Sequence, residues 1–216
     1  MIKEFEQYTD NEIIHKICNG DQALLEILIR RYNPFMYKIG RGYGYNHHDT
    51  EDLMQETYIN CYNNLSKFEG RSSFKTWLTR IMLNECYHKK QKHSFQKEII
   101  MENKLNETST PMFQNNTPFE NSILNKELGH ILENAVSLIP EDYRMVFMLR
   151  ELNGLNVAET AEVLDISESN VKVRLNRAKT MLKTEIEKMY SPQDIFEFNL
   201  IYCDKMVADV MKRIAK

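Results

Sequence analysis

Residues 156–183 read N-V-A-E-T-A-E-V-L-D-I-S-E-S-N-V-K-V-R-L-N-R-A-K-T-M-L-K, and the chemistry they offer is recognition of a polyanion. Residues 169–183 hold Lys172, Arg174, Arg177, Lys179 and Lys183 with no acid, whereas residues 126–168 hold three basic residues against nine acids. The solvated face of an ordinary bundle helix interleaves its signs, so this segregation points to phosphates. Val171, Leu175, Ala178 and Leu182 recur at helical spacing and form an inward stripe, which leaves Ser169, Lys172, Val173, Asn176 and Arg177 facing outward. Two elements must position that face. Asn156 caps a first short helix, with Glu159 three residues on to complete a capping box, and Ser167 caps the second. Asp165 takes the positive-φ position of the turn, and Ala161 is small enough for the helices to approach. The unit is a helix-turn-helix, whose second helix reads DNA from the major groove.

A second polarity switch lies upstream. Residues 49–66 carry Asp49, Glu51, Asp52 and Glu56 and no Lys or Arg, whereas residues 67–97 carry eight basic residues against two acids. Asp49 reads as an N-cap; the helix after it turns Leu53, Thr57, Cys61 and Leu65 inward and Asp52, Gln55, Glu56 and Asn63 outward. Acids near a helix N-terminus suit its dipole, which explains part of the cluster. It does not explain why a loop, F-E-G-R-S-S-F, and a basic, aromatic-containing helix, K-T-W-L-T-R-I-M-L-N-E-C-Y-H-K-K, follow at once. Trp77, four residues from Ile81, suits a core position.

Length and composition frame these motifs. The chain has 216 residues, 42% of them hydrophobic, with seven Gly, five Pro and few strand signals, which predicts an all-α fold with real cores. The expected organisation is a helical domain over residues 1–98, a polar flexible linker over 99–122, a second helical domain with the helix-turn-helix over 123–190, and a helical C-terminal extension over 191–216. A net charge of −3 does not itself suggest nucleic acid; the distribution does. Cys18, Cys61, Cys86 and Cys203 are far apart and form no C-x-x-C pair, which predicts a reducing cytoplasm and no structural zinc. No run of 18 apolar residues and no signal-peptide pattern occurs, so a soluble, cytoplasmic protein without membrane insertion is expected. His47-His48 and the set Cys86, His88, His93 make no complete ligand set, and no phosphate loop or nucleophile motif appears. Neither metal, cofactor nor catalytic residue is expected. Asp52 and Glu56 as paired catalytic carboxylates would need an inward cleft, and their spacing puts them outward.

The stretches D-T-E-D-L-M-Q-E-T-Y, K-F-E-G-R-S-S-F-K-T-W-L-T-R-I-M-L-N and L-I-P-E-D-Y-R-M-V-F-M-L-R-E-L-N-G-L-N-V-A-E-T-A-E-V-L-D-I-S-E-S-N-V-K-V-R-L-N-R-A-K-T-M-L, in that order, resemble regions 2 and 4 of extracytoplasmic-function (ECF) sigma factors of bacterial RNA polymerase. The resemblance covers roughly residues 20–95 and 125–188. It implies an alternative sigma factor that directs core RNA polymerase to promoters, with the clamp helices of the largest subunit, the flap, promoter DNA and an anti-sigma factor as candidate partners. Carried over residue by residue, it assigns Asp52, Gln55 and Glu56 to the polymerase. It places Lys67, Phe68, Arg71, Phe74, Trp77, Arg80 and Asn84 near the single-stranded −10 element. It places Ser169, Asn170, Lys172, Val173, Asn176 and Arg177 on the −35 duplex, with Arg174 and Lys179 on phosphates. The family usually has Gly where Asp165 stands and Ser where Val173 stands; Val173 favours a thymine methyl over a hydrogen bond. The competing reading is a helix-turn-helix regulator that acts as a symmetric dimer without polymerase.

Two further expectations concern arrangement. Cys203, Val207, Val210 and Ile214 fall on one stripe of a C-terminal helix, to be buried on its own helix-turn-helix domain, on the first domain or on a regulator. The exposed acids of the first domain complement the basic helix of the second, so the free chain is expected to close acid face to basic helix, hiding both the polymerase-binding and −35-reading surfaces until core enzyme competes.

Overall fold

The computed structural model describes residues 7–97, 122–189 and 200–214. Every regular element among them is helical. In chain order these are α1 (Asp10–Cys18), α2 (Leu25–Gly42), α3 (His47–Asn64), α4 (Phe74–Lys97), α5 (Ser122–Ser137), α6 (Glu141–Phe147), α7 (Val157–Leu164), α8 (Glu168–Met189) and α9 (Leu200–Ile214). A π-helical turn, Met148–Leu152, continues α6. The expected linker, apart from Ser122, and the first part of the C-terminal extension lie outside the described residues.

The first domain is α1 to α4. Thr9 and Glu12 form a capping box that starts α1. Helix α3 starts three residues earlier than its acids suggested: the cap is Asn46, whose side chain accepts from the Asp49 amide at 2.8 Å. Asp49 is therefore the residue that is capped, not the cap, because the Asn carbonyl already satisfies the free amide there. Leu53, Thr57, Cys61 and Leu65 are buried as their spacing requires, against Leu28, Met36, Leu78 and Met82. Gly40 lets α2 lie close on α3, since a Cβ there would stand 2.6 Å from the Thr50 methyl.

The second domain is α5 to α8. Asn156 and Glu159 form the expected capping box, and Asp165 closes α7 in the left-handed conformation at φ 52°. The Ser167 hydroxyl accepts from the Asn170 amide at 3.2 Å and starts α8. Val146, Ala161 and Val171 form a small core between α6, α7 and α8. Another apolar face remains on this domain, and it is spent on the first: Met145, Leu149, Leu155 and Val163 are buried in the same cluster as the core of α1 to α4. Gly42 marks the closeness of the seam, where a Cβ would meet the Met148 side chain at 3.0 Å. On α9, by contrast, Met206, Val207, Val210, Met211 and Ile214 are all exposed.

The packing makes a chemical prediction. Cys61 and Cys86 are fully buried, and burial pushes both thiols up to about 12, whereas Cys18 is exposed. Peptide mapping after brief treatment with a disulfide-exchange reagent is expected to find Cys18 modified and Cys61 and Cys86 untouched until denaturant is added. Modification of Cys86 in the native chain would contradict this core.

Candidate nucleic-acid interface

Ser73 precedes helix α4, and its hydroxyl accepts from the Thr76 amide at 3.1 Å. The turn before it folds Phe68 back over the helix, so that Phe68, Phe74 and Trp77 form one aromatic cluster with ring centroids 5.3 to 5.8 Å apart. Phe74 is the buried member, 3% exposed and edge-on to Tyr32 at 5.5 Å. This corrects the expectation for Phe74: its ring belongs to the core, because it is the first inward residue of α4. Trp77 and Phe68 are half-buried. Lys67, Arg71, Arg80 and Asn84 are exposed. A hollow of about 320 Å³ is walled by Lys67, Phe68, Arg71, Trp77 and Arg80, and a second, of about 390 Å³, lies on the other side of Trp77 against Asn84. Six of the seven residues assigned to single-stranded DNA thus surround one indole ring, with cations at the rim and an aromatic floor.

That surface is not open. Glu162 of α7 stands 3.8 Å from the Arg80 guanidinium and forms part of the first hollow. The Glu159 carboxylate accepts from the Thr76 hydroxyl at 3.0 Å and the Ser73 hydroxyl at 3.3 Å, while its other oxygen accepts from the Asn156 amide at 2.7 Å. One side chain therefore caps α7 and ties it to α4. Lys75 donates to the Asn153 carbonyl, lies 4.0 Å over the Phe35 ring, and has its pKa lowered by burial. Along the seam, Lys38 donates to the Leu152 carbonyl at 3.3 Å, Lys90 to Glu141 at 2.8 Å, and Arg41 to Glu133 in a pair only 11% and 14% exposed.

The free chain is closed, but with the opposite polarity to the one expected. Cations of the first domain meet carboxylates and carbonyls of the second. The reason is apolar: the face of the second domain that must be buried is the α6–α7 side, and α8 is carried to the outside. Its reading face is uncovered, with Ser169, Lys172, Val173, Asn176 and Arg177 exposed and Val173 at 48%. Asn170 is half-buried and accepts from Arg174, which lies 3.7 Å from Asp142; Lys179 lies 2.9 Å from Glu151, and Arg177 reaches the Tyr143 hydroxyl at 3.4 Å. Asp52, Gln55 and Glu56 are likewise exposed on α3. Glu51 and Asp49 have partners in His47 and Lys89, whereas no ion pair to Asp52 or Glu56 occurs among the described residues. Closure covers neither surface expected to be hidden; it covers α4. Sequence reasoning missed Ser73, Lys75 and Thr76 for that reason, and the signal available was the acidic run of α7 with no basic partner of its own.

Comparison with known proteins now decides the family. Sigma-70 region 2 matches residues 28–96, and Sigma-70, region 4 matches residues 130–182. The ECF RNA polymerase sigma-E factor of Haemophilus influenzae is 30% identical over 188 residues, covering 85% of this chain and 98% of that protein. The chain belongs to the ECF sigma factor family. The ECF RNA polymerase sigma-E factor of Escherichia coli strain K12 is 31% identical over 195 residues, covering 85% of this chain and 97% of its own. Among solved structures, CnrH in complex with the cytosolic domain of CnrY matches with a TM-score of 0.60 at 20% identity, over 83% of this chain and 97% of that one. The sigma factor RpoE of Bartonella quintana, in complex with the anti-sigma factor NepR, matches at 0.60 and 18%, over 75% and 96%. These two support the fold. The first domain is thus region 2 and the second region 4 of a sigma factor, a DNA-binding initiation factor rather than an enzyme. No helix among the described residues is long and apolar enough to cross a membrane.

The seam yields a stability prediction. Removing one member of a buried ion pair leaves the other charged and unpaired, so Arg41→Ala is expected to cost about 3 to 5 kcal/mol, whereas Arg41→Met with Glu133→Leu is expected to cost little. Urea unfolding of both variants checks this; equal losses would mean that the pair is not what Arg41 contributes.

Proposed function

We propose that the aromatic hollow on α4 receives bases of the −10 non-template strand, that the outward face of α8 reads the −35 duplex, and that Asp52, Gln55 and Glu56 bind the clamp helices of core polymerase. The observation that carries this reading is the grouping of Lys67, Phe68, Arg71, Trp77 and Arg80 around one hollow, next to a helix-turn-helix whose outward face, with Ser169, Lys172, Val173, Asn176 and Arg177, is exposed. A base extruded from the stack needs an aromatic platform and cations for its flanking phosphates, and both are present at one place. Phe74 acts from beneath by holding Trp77 and Phe68 in position. Glu159 and Glu162 stand where phosphates would lie, so promoter melting requires region 4 to leave α4. Binding of core polymerase supplies that separation as a shift of population. The factor works where polymerase and promoters are, in the cytoplasm.

Two results are expected. Glu56→Lys, a surface change that usually moves stability by about 0.5 kcal/mol or less, should abolish capture of core polymerase in a pull-down. Unimpaired capture would remove this face from the interface. In run-off transcription on a promoter library, Arg177→Ala and Lys172→Ala should relax or shift the preferred upstream sequence, a good bidentate base contact being worth about 1 to 3 kcal/mol. Arg174→Ala should instead lower yield alike on all promoters, and unaltered sequence preference in all three would show that α8 does not read the −35 element.

A further inference from the structure

Of the two acids in the basic run of residues 67–97, Glu69 is matched by a cation and Glu85 is not. Glu69 pairs with Arg71. Glu85 has no ion pair among the described residues, although it lines the hollow of about 390 Å³ beside Trp77, on a surface otherwise suited to phosphates. Its partner is an amide: Asn60 of α3 donates to one of its carboxylate oxygens at 2.8 Å. Asn60 ends a row of hydrogen bonds. Lys67 donates to the Asn64 side chain at 2.9 Å and Asn64 to the Asn60 carbonyl at 2.9 Å, and all four residues line the same hollow. The carboxylate is therefore held in place, with no hydrogen bond to its second oxygen among the described residues. Such a carboxylate costs affinity for a polyanion unless it meets a donor, and the donors a single strand offers are on its bases.

This hollow adjoins the one already described, and Lys67 and Trp77 wall both. A cation shared by two adjacent hollows suits the phosphate that links two successive nucleotides, and Trp77 with Ile81 supplies the apolar surface for a second base. The volume is in the range of about 300 to 1,000 Å³ usual for sites that hold small organic groups. Glu162 of region 4 enters the first hollow, whereas the second is lined by region 2 alone and is complete while region 4 lies on α4.

We propose that Glu85 is a specificity-determining residue: the second hollow takes the nucleotide next to the one in the first, and the Glu85 carboxylate selects an amine-bearing base there against thymine. This rests on the single-strand role proposed above for the first hollow. Adenine, cytosine and guanine each carry an exocyclic amine that donates to the second carboxylate oxygen. Thymine sets a carbonyl oxygen on either side of its one donor, and both repel the carboxylate. Asn60 is the positioning residue, since its amide fixes which oxygen is presented.

The test is run-off transcription by core polymerase loaded with the full chain, on promoters randomised across the −10 element, with sequencing of the transcripts. The wild type is expected to disfavour thymine at one position. Glu85→Gln keeps a carbonyl oxygen for Asn60 and presents an amine in place of the second oxygen. Discrimination at that position should fall by at least about fivefold, the low end of what one base contact supplies, with preferences elsewhere and the thermal midpoint unchanged. Asn60→Ala should loosen the same position and no other, an effect that loss of a purely structural clip does not give. Wild-type preferences at every position in Glu85→Gln, or a wild type that tolerates thymine throughout, would make Glu85 only a clip between α3 and α4 and overturn the proposal. Arg80→Ala, in the first hollow, is run alongside. Lost transcription in Arg80→Ala with unaltered preferences in Glu85→Gln overturns this assignment and leaves the first hollow standing, whereas wild-type behaviour of both variants overturns the single-strand reading as well.

Discussion

The burial of Met145, Leu149, Leu155 and Val163 against the core of region 2 is the interaction on which the rest of the arrangement depends. Leu149 and Leu155 are 0% and 1% exposed, and burying such a side chain is worth about 1.5 to 3 kcal/mol as an upper estimate. The exposed ion pairs at the edge of the same seam, Arg80 with Glu162 and Lys90 with Glu141, each contribute about 0 to 1 kcal/mol. The apolar seam therefore sets the orientation of region 4, and the charges follow it. Once α6 and α7 face inward, the carboxylates of α7 fall on α4 and the cations of α8 point to solvent.

That ordering of magnitudes explains the reversed polarity. A charge map drawn from sequence pairs the acids of α3 with the bases of α8, because those are the largest blocks of opposite sign. It has no term for which apolar face of region 4 is left over after its own small core of Val146, Ala161 and Val171 is made. Leu149, Leu155 and Val163 look like intradomain residues in the sequence, and only the fold shows them serving a second domain.

Much else was legible. The capping box of Asn156 and Glu159, the left-handed Asp165, the Ser167 cap and the inward stripe of α3 are local features, and local hydrogen bonding and helical period determine them. The sequence reading starts α3 three residues late because three acids outweigh one Asn, although Asn46 is a cap of equal strength. Phe74 was misplaced because loop and helix were read together: its role changes at the residue where α4 begins. The double use of Glu159, as a helix cap and as the partner of Thr76 more than eighty residues away in the chain, was invisible, since no sequence pattern marks a carboxylate that still has a free oxygen.

The account depends most directly on region 4 lying on α4 in the free chain and leaving it when core polymerase binds. Fluorescence transfer between dyes on the exposed positions Asn63 of α3 and Thr180 of α8 measures this distance. The account predicts strong transfer in the free chain that persists as salt rises from about 0.1 to about 1 M, because the seam is mainly apolar and its least exposed ion pair, Arg41 with Glu133, is little screened, and a marked loss of transfer on adding core polymerase. Transfer that is weak in the free chain, or that salt alone abolishes, would contradict it.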